Sequence, residues 1–271
     1  MLAMLKAILR ESGWRRGRAM KALCAWPRYL AERREFRRSL GPDGGGFDWG
    51  RDFPILGESE AASGSIGAYA LQDLVVARWI REDSPARHVD VGSRVDGFIC
   101  HLAVFREVEV IDIRPAPGVI PGVVFHQLDM MAACPPDWRG ALPSLSCLHT
   151  VEHFGLGRYG DAIDPGGHEK GVRRLKEMVA TGGRMYLSTP IGPQRIEFNA
   201  HRIFAASTVL GWFAEGWEIE RLAVIDDRER IHLEPARTEA ELERNFGCRS
   251  GVVMLAARKL GDGGRGDGGG V

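Results

Sequence analysis

Two carboxylates 22 residues apart, Asp90 and Asp112, each close a short apolar run, and this is how an α/β protein holds a ribose. Arg87-His88-Val89-Asp90-Val91-Gly92-Ser93 reads as a strand ending in an acid and a glycine. Phe98–Phe105 is helix-compatible, and Val108–Ile113 is a second strand carrying Asp112. The glycine lets the backbone approach a ligand, and the acid accepts both hydroxyls of a vicinal diol. Further along, Val123–Leu128 ends on Asp129, and the run from Leu142 ends on Thr150 and Glu152. Strand ends of this kind fall on one edge of a parallel sheet. A nucleoside-type cofactor is the chemistry expected there.

His149-Thr150-Val151-Glu152-His153 spells the His-x-x-Glu-His pattern of inverted zinc proteases. That chemistry needs both histidines one turn apart on a helix, whereas Leu145–Leu148 reads as a strand and Phe154-Gly155-Leu156-Gly157 disfavours a helix. The strand reading accounts for the same residues without a metal. His153 is then the candidate general base, since an imidazole suits removal of a hydroxyl proton at neutral pH. The alternative is that Glu152 and His153 position the loop or orient the cofactor. Tyr159 and Asp161, in a glycine-rich loop, are candidate substrate contacts or loop-ordering groups. His101 is expected to be buried or capping, Trp212 and Trp217 to be core, and Asp164–Glu169 to cap the following helix.

These groups need a scaffold, and the chain alternates the elements of one. A helical pattern from Gly67 through Ile80 leads into the first strand, and Gly171–Ala180 reads as a helix closed by Thr181-Gly182-Gly183. Arg184–Pro190, Trp217–Ile225 and Gly251–Lys259 complete seven strands, with a helix over Ser207–Glu215. The expected fold is α/β: a Rossmann-like, doubly wound, mostly parallel seven-stranded sheet with helices on both faces.

The organisation expected is a basic amphipathic helical extension over 1–40, a linker over 41–64, the domain over 65–260 and a disordered Gly-rich tail over 261–271. In the extension, Leu2, Leu5, Ile8 and Leu9 recur at helical spacing and Pro27 marks a break. Net charge is zero, but residues 1–40 carry eleven Lys/Arg against three Glu, so the remainder is acidic. The extension reads as a solvated helix or as a foothold on an anionic membrane surface. Five scattered cysteines without Cys-x-x-Cys spacing argue against a disulfide framework or zinc ribbon, and fit a reducing compartment. No apolar run approaches a membrane span, and Lys6 and Arg10 interrupt any signal-peptide core. A cytoplasmic protein is expected, one that can rest on the inner face of the membrane through residues 1–40. The acidic domain lacks a basic stripe with interleaved aromatics, which argues against nucleic acid.

Over residues 65–260 the chain resembles the class I S-adenosylmethionine-dependent methyltransferases. The resemblance is carried by Asp90-Val91-Gly92, Asp112, Leu128-Asp129, Val151-Glu152-His153 and the Ala180–Met185 turn. The stretch Val151–Asp161 is similar to a narrower, uncharacterised bacterial branch associated with surface-polysaccharide gene clusters. The resemblance implies S-adenosylmethionine as cofactor, with contacts at the first turn from Asp90, Gly92, Ser93 and Arg94. It further implies Asp112 on the ribose, Ile113 on the adenine face, Asp129 on the adenine amine with Met130 beside it, and Thr150 at the fourth strand. It departs at the turn, where the second and third glycine positions are Arg94 and Asp96. Arg94 either pairs with the cofactor carboxylate or fills its space. The implied activity is methyl transfer to a small polar acceptor, first a sugar or glycan hydroxyl. The rival is a methyltransferase-fold protein that serves as a binding or assembly partner through its basic N-terminal helices.

Overall fold

The structure is a computed structural model that describes residues 16–39, 51–56, 66–116, 118–198 and 200–261. The chain divides into two compact units, Met1–Ser65 and Ile66–Val271. In the first, helix α1 spans Arg16–Ser39 and runs through Pro27, where a break was expected. A proline removes one ladder hydrogen bond, and here that loss does not end the helix. The apolar side chains do not share one stripe. Leu23 and Phe36 are both exposed, and at about 3.6 residues per turn they fall on nearly opposite faces. The spacing at Leu2–Leu9, the Gly41–Gly46 loop and the tail from 262 to 271 lie outside the described residues.

The second unit is built on one eight-stranded sheet in the order β3-β2-β1-β4-β5-β10-β8-β9. Its strands are β1 (Val89–Val91), β2 (Val108–Asp112), β3 (Val123–Gln127), β4 (Leu142–Leu148), β5 (Val179–Ile191), β8 (Trp217–Ile225), β9 (Ile231–Leu233) and β10 (Gly251–Lys259). The first five are parallel, and β10 runs antiparallel between β5 and β8. The eighth strand, β9, pairs on the outer edge of β8 and is one more than the pattern predicts. A separate two-stranded ribbon joins β6 (Arg195–Glu197) to β7 (His201–Ile203), in a segment not expected to be strand.

Burial on both faces explains the near-continuous apolar strands. Along β10, Val253, Leu255 and Ala257 enter one core with Leu145, Leu187 and Leu175, while Val252, Met254 and Ala256 enter the other with Val76, Ile80 and Phe98. Helix α2 (Ala68–Asp83) covers the second face, together with a π-type turn (Val95–Ile99) and α3 (Cys100–Ala103). Helix α4 (Gly167–Met178) and α5 (Ala206–Gly211) cover the first; α6 (Glu239–Glu243) precedes β10. Trp217 is buried and Trp212 half-buried against this core.

One boundary differs for a clear reason. Helix α4 ends at Met178, and Thr181-Gly182-Gly183 lies within β5, where the pairing jumps from Leu142–Val179 to Ser144–Arg184. The expected glycine cap is replaced from another strand. Lys259 Nζ on β10 donates to the carbonyls of Lys176 (3.0 Å) and Val179 (2.7 Å), and so satisfies the helix end.

The chain leaves β1 outward to β2 and β3, then returns to β4 on the other side. The crevice between the carboxyl ends of β1 and β4 is the topological switch point, the place where such sheets bind ligands.

Candidate functional site

At the end of β1 the Asp90 carboxylate is fully buried. It accepts from Ser93 N–H (3.0 Å), Ser93 Oγ (2.8 Å) and Ser146 Oγ (2.5 Å). Burial pushes its pKa up to about 6, against these bonds. Asp90 and Ser93, expected as cofactor contacts, therefore serve as the internal frame of the turn. Behind them Ser146 Oγ lies 3.0 Å from His88 Nε2, and Ser144 Oγ lies 2.7 Å from Nδ1. Because Ser146 spends its proton on Asp90, His88 donates from Nε2 and accepts at Nδ1. Burial brings the His88 pKa down to about 3, so the imidazole is neutral.

Gly92 follows with φ +73°, and a Cβ on it would lie 2.4 Å from Thr150 Cγ2. The ends of β1 and β4 thus touch through a glycine and a threonine methyl, and no other residue fits at position 92 without moving Thr150. Arg94 and Asp96 pair with each other in a bidentate contact (3.0 and 2.7 Å) and are exposed. Arg94 therefore points its charge at its neighbour in solvent and does not fill the turn. The expected Phe98–Phe105 helix begins earlier, at Val95, in a π-type turn, and His101 Nδ1 donates to the Gly97 carbonyl at its start (2.8 Å).

At the end of β2, Asp112 is in place but engaged. Its carboxylate accepts from Arg114 N–H (2.8 Å), Nε (2.9 Å) and Nη2 (2.6 Å), and its side chain is 11% exposed. The Arg114 guanidinium also sits 4.6 Å from the centre of the Tyr159 ring. A single arginine thus spans from β2 to the loop after β4. Ile113 is half-buried beside it. Asp129 lies just beyond β3, exposed, with Oδ1 accepting from Met131 N–H (2.8 Å). Met130, expected beside the adenine, packs into the core, because the turn that Asp129 caps directs it inward.

Beyond β4, His149 adopts φ +49°, Thr150 follows, and Val151–His153 form one 3-10 turn. The helix that a zinc-protease pattern needs is not formed by these residues. His149 Nδ1 donates to Glu152 Oε1 (2.8 Å), and Thr189 Oγ1 lies 3.4 Å from Oε2. Glu152 is only 1% exposed; burial pushes its pKa up, but the His149 and His153 imidazoles outweigh this and hold it below the ordinary carboxylate value. His153 donates from Nδ1 to the Ala200 carbonyl (2.8 Å), with Nε2 4.0 Å from Glu152 Oε1. Burial lowers its pKa despite the nearby Glu152. The Tyr159 ring stands edge-on to His153 at 5.4 Å.

The loop after this turn is held from within. Asp161 accepts from the N–H groups of Gly155 (2.8 Å), Gly157 (3.2 Å) and Tyr159 (3.1 Å), so its carboxylate orders the loop. The buried Arg202 donates to the carbonyls of Phe154 (2.6 Å) and Pro165 (3.2 Å). Gly155 has φ +77°, and a Cβ there would stand 1.9 Å from the Asp164 carbonyl oxygen. Gly155→Ala is expected to cost about 3 kcal/mol from left-handed strain plus overpacking, and to expose the loop to proteolysis. Urea unfolding and limited proteolysis check this; a change below about 0.5 kcal/mol would contradict it.

Several groups at this edge were not singled out from sequence. Tyr69 on α2 stacks 4.7 Å from the His149 ring, and Gln72 accepts from Ser188 Oγ (2.5 Å). Asp73 lies close enough to Gly97 that a Cβ there would be 2.9 Å from Oδ2. The signal was the polar pair Gln72-Asp73 inside an apolar helix. Two cavities, of about 450 and 340 Å3, lie at the other end of the sheet, around Trp212 and Trp217 and around Thr181 and Tyr186.

The architecture is a Rossmann-like, doubly wound α/β fold. The family model described as "Caenorhabditis protein of unknown function, DUF268" matches residues 137–255, from just before β4 into β10. No curated protein matches the sequence. Among solved structures, the chain is similar to the N-methyltransferase NodS of Bradyrhizobium japonicum WM9 with S-adenosylhomocysteine, at 12% identity and a TM-score of 0.46, covering 70% of this chain and 85% of that one. It is similar to 1,6-didemethyltoxoflavin-N1-methyltransferase of Burkholderia thailandensis at 13% identity and a TM-score of 0.46, covering 71% and 80%. It is also similar to geranyl diphosphate C-methyltransferase of Streptomyces coelicolor A3(2) at 13% identity and a TM-score of 0.45, covering 69% and 77%.

Proposed function

We propose that the protein is an S-adenosylmethionine-dependent methyltransferase acting on a small polar acceptor, first a sugar or glycan hydroxyl. The observation that carries this is the convergence of the Gly92 turn, Asp112 and Asp129 on one edge, at the switch point of a doubly wound sheet. The residues present fit a nucleoside. Asp112 offers two carboxylate oxygens for a diol once Arg114 yields them, and the exposed Asp129 offers a carboxylate for an exocyclic amine. Ile113 gives an apolar surface for a purine, and Gly92 removes the side chain that would block the backbone. When bound, S-adenosylmethionine supplies a methyl group already activated on a sulfonium. The protein's part is to hold the two reactants in line and to give the hydroxyl proton somewhere to go.

Calorimetric titration with S-adenosylmethionine and S-adenosylhomocysteine tests this. Micromolar binding supports the cofactor and directs an acceptor screen to hydroxyl compounds. Absence of binding by folded protein would favour the second reading, a methyltransferase-fold binding or assembly partner. That reading draws on the altered turn at Arg94 and Asp96 and on the Arg114–Asp112 pair. His153→Ala is expected to leave S-adenosylhomocysteine affinity within about twofold, because His153 is committed to Ala200; a tenfold loss would place it in the cofactor site.

The extension adds a proposal of its own. Described residues 16–39 carry eight Lys/Arg against two Glu, a composition suited to an anionic membrane face. Among the described residues no helix is long and apolar enough to cross a membrane. Co-sedimentation with anionic vesicles that persists without residues 1–40 would remove this role.

A further inference from the structure

Methyl transfer to a hydroxyl requires a proton acceptor, and the structure distinguishes the two histidines beyond β4. We propose that His149, backed by Glu152, takes the acceptor's proton, and that His153 is a positioning residue. The assignment rests on the methyltransferase reading.

The first ground is the partner of each ring. His149 donates its Nδ1 proton to a buried carboxylate at 2.8 Å, whereas His153 donates to a backbone carbonyl. A carboxylate behind an imidazole stabilises the imidazolium, and a carbonyl does so far less. Glu152 is in turn braced by Thr189 at its second oxygen.

The second ground is where the backbone places His149. Its φ of +49° is left-handed, a conformation that is unfavourable for a residue with a Cβ. It is held there by its own N–H, which donates to the Ser188 carbonyl (3.1 Å) and lies 3.2 Å from Ser188 Oγ, itself bonded to Gln72 of α2. Such strain persists only where the surroundings over-determine it, as at functional sites. The next residue, Thr150, is the one that touches Gly92, so His149 adjoins the proposed cofactor turn.

The third ground is the tautomer. With Nδ1–H committed to Glu152, the lone pair lies on Nε2, which makes no hydrogen bond among the described residues. The hydroxyl oxygen forms the new bond to the methyl carbon, and the carbon–sulfur bond breaks with its electron pair passing to sulfur. The hydroxyl proton moves to Nε2 of His149, and the imidazolium, paired with Glu152, later returns it to water. The titratable groups around this ring are Glu152 and His153 on the same turn and Tyr69 and Asp73 from α2.

The test uses the full chain with isotope-labelled histidine, His149→Gln and His153→Gln serving to assign the resonances. The neutral His149 ring is expected as the Nδ1–H tautomer. Diethyl pyrocarbonate is expected to modify His149 at Nε2, read by mass spectrometry, whereas an inert structural ring would stay unmodified. A proton on Nε2 of neutral His149 or no modification at His149 would each overturn the assignment, and neither outcome depends on a variant at Glu152 folding. Calorimetry with S-adenosylhomocysteine decides the methyltransferase reading separately: failure to bind there, with the expected His149 tautomer intact, overturns that reading and the catalytic role built on it.

Discussion

Arg114→Gln is expected to tighten S-adenosylhomocysteine binding, and Asp112→Ala to weaken it strongly. In the structure Arg114 holds the same carboxylate oxygens that the proposed ribose needs, through three bonds of 2.6–2.9 Å. A ligand must break the guanidinium contacts before it can bind. The Arg114 side chain is half exposed, so water and salt screen the pair, and it is worth about 1 kcal/mol. Its removal therefore corresponds to roughly fivefold tighter binding. Losing Asp112 removes hydrogen bonds to a charged group, about 1.5–3 kcal/mol, or roughly 10- to 100-fold in affinity. Salt supplies a further check. Screening weakens the competing ion pair, so wild-type affinity should rise modestly with ionic strength, and Arg114→Gln should lose that dependence. Calorimetry at two salt concentrations measures all of this. Weaker binding by Arg114→Gln would make Arg114 a ligand contact, and unchanged binding by Asp112→Ala would remove the ribose role.

His88→Gln is expected to change how stability responds to acid. His88 has its pKa brought down by burial to about 3 from the ordinary 6.5. Between these values the unfolded chain binds more protons than the folded one, so this group's contribution to stability falls as pH drops from 6.5 towards 3. By pH 4 the loss is about 3 kcal/mol. Asp90 acts in the opposite sense. Its pKa is raised to about 6 from 3.8, so its contribution is full below 3.8 and is lost as pH rises through 6. The two groups are joined through Ser146, and between pH 4 and 6 their effects largely offset in the wild type. Removing the imidazole leaves Asp90 alone. His88→Gln should be destabilised at pH 7 by its lost bonds, and the gap to wild type should narrow steadily on acidification to pH 4.5. Urea unfolding across this range reads the difference, and a gap that stays constant would contradict a buried neutral His88.

The sequence by itself determined seven of the eight strands of the main sheet and where most of them end, because residues buried on both faces must be apolar and the acids and glycines must fall where the apolar runs stop. Hence Asp90, Gly92, Asp112 and Asp129 were legible as strand-end residues, and the alternation of helix and strand fixed the Rossmann-like class. Asp90 shows where that legibility ends. A carboxylate at a strand terminus is the same letter whether it meets a ligand or, as here, Ser93 and Ser146. Which partner it meets depends on a strand 56 residues away. The edge strand β9 was missed because three residues in a ladder carry too short a pattern to separate from a loop. The early end of α4 depended on Lys259, a distant lysine whose capping of that helix exists only once β10 lies beside it. The engagement of Asp112 by Arg114, the strained backbone of His149 and its contact with Glu152 were likewise decided by tertiary structure. They arise from side-chain direction and competition for hydrogen bonds, which are properties of neighbours in space and not of neighbours in the chain.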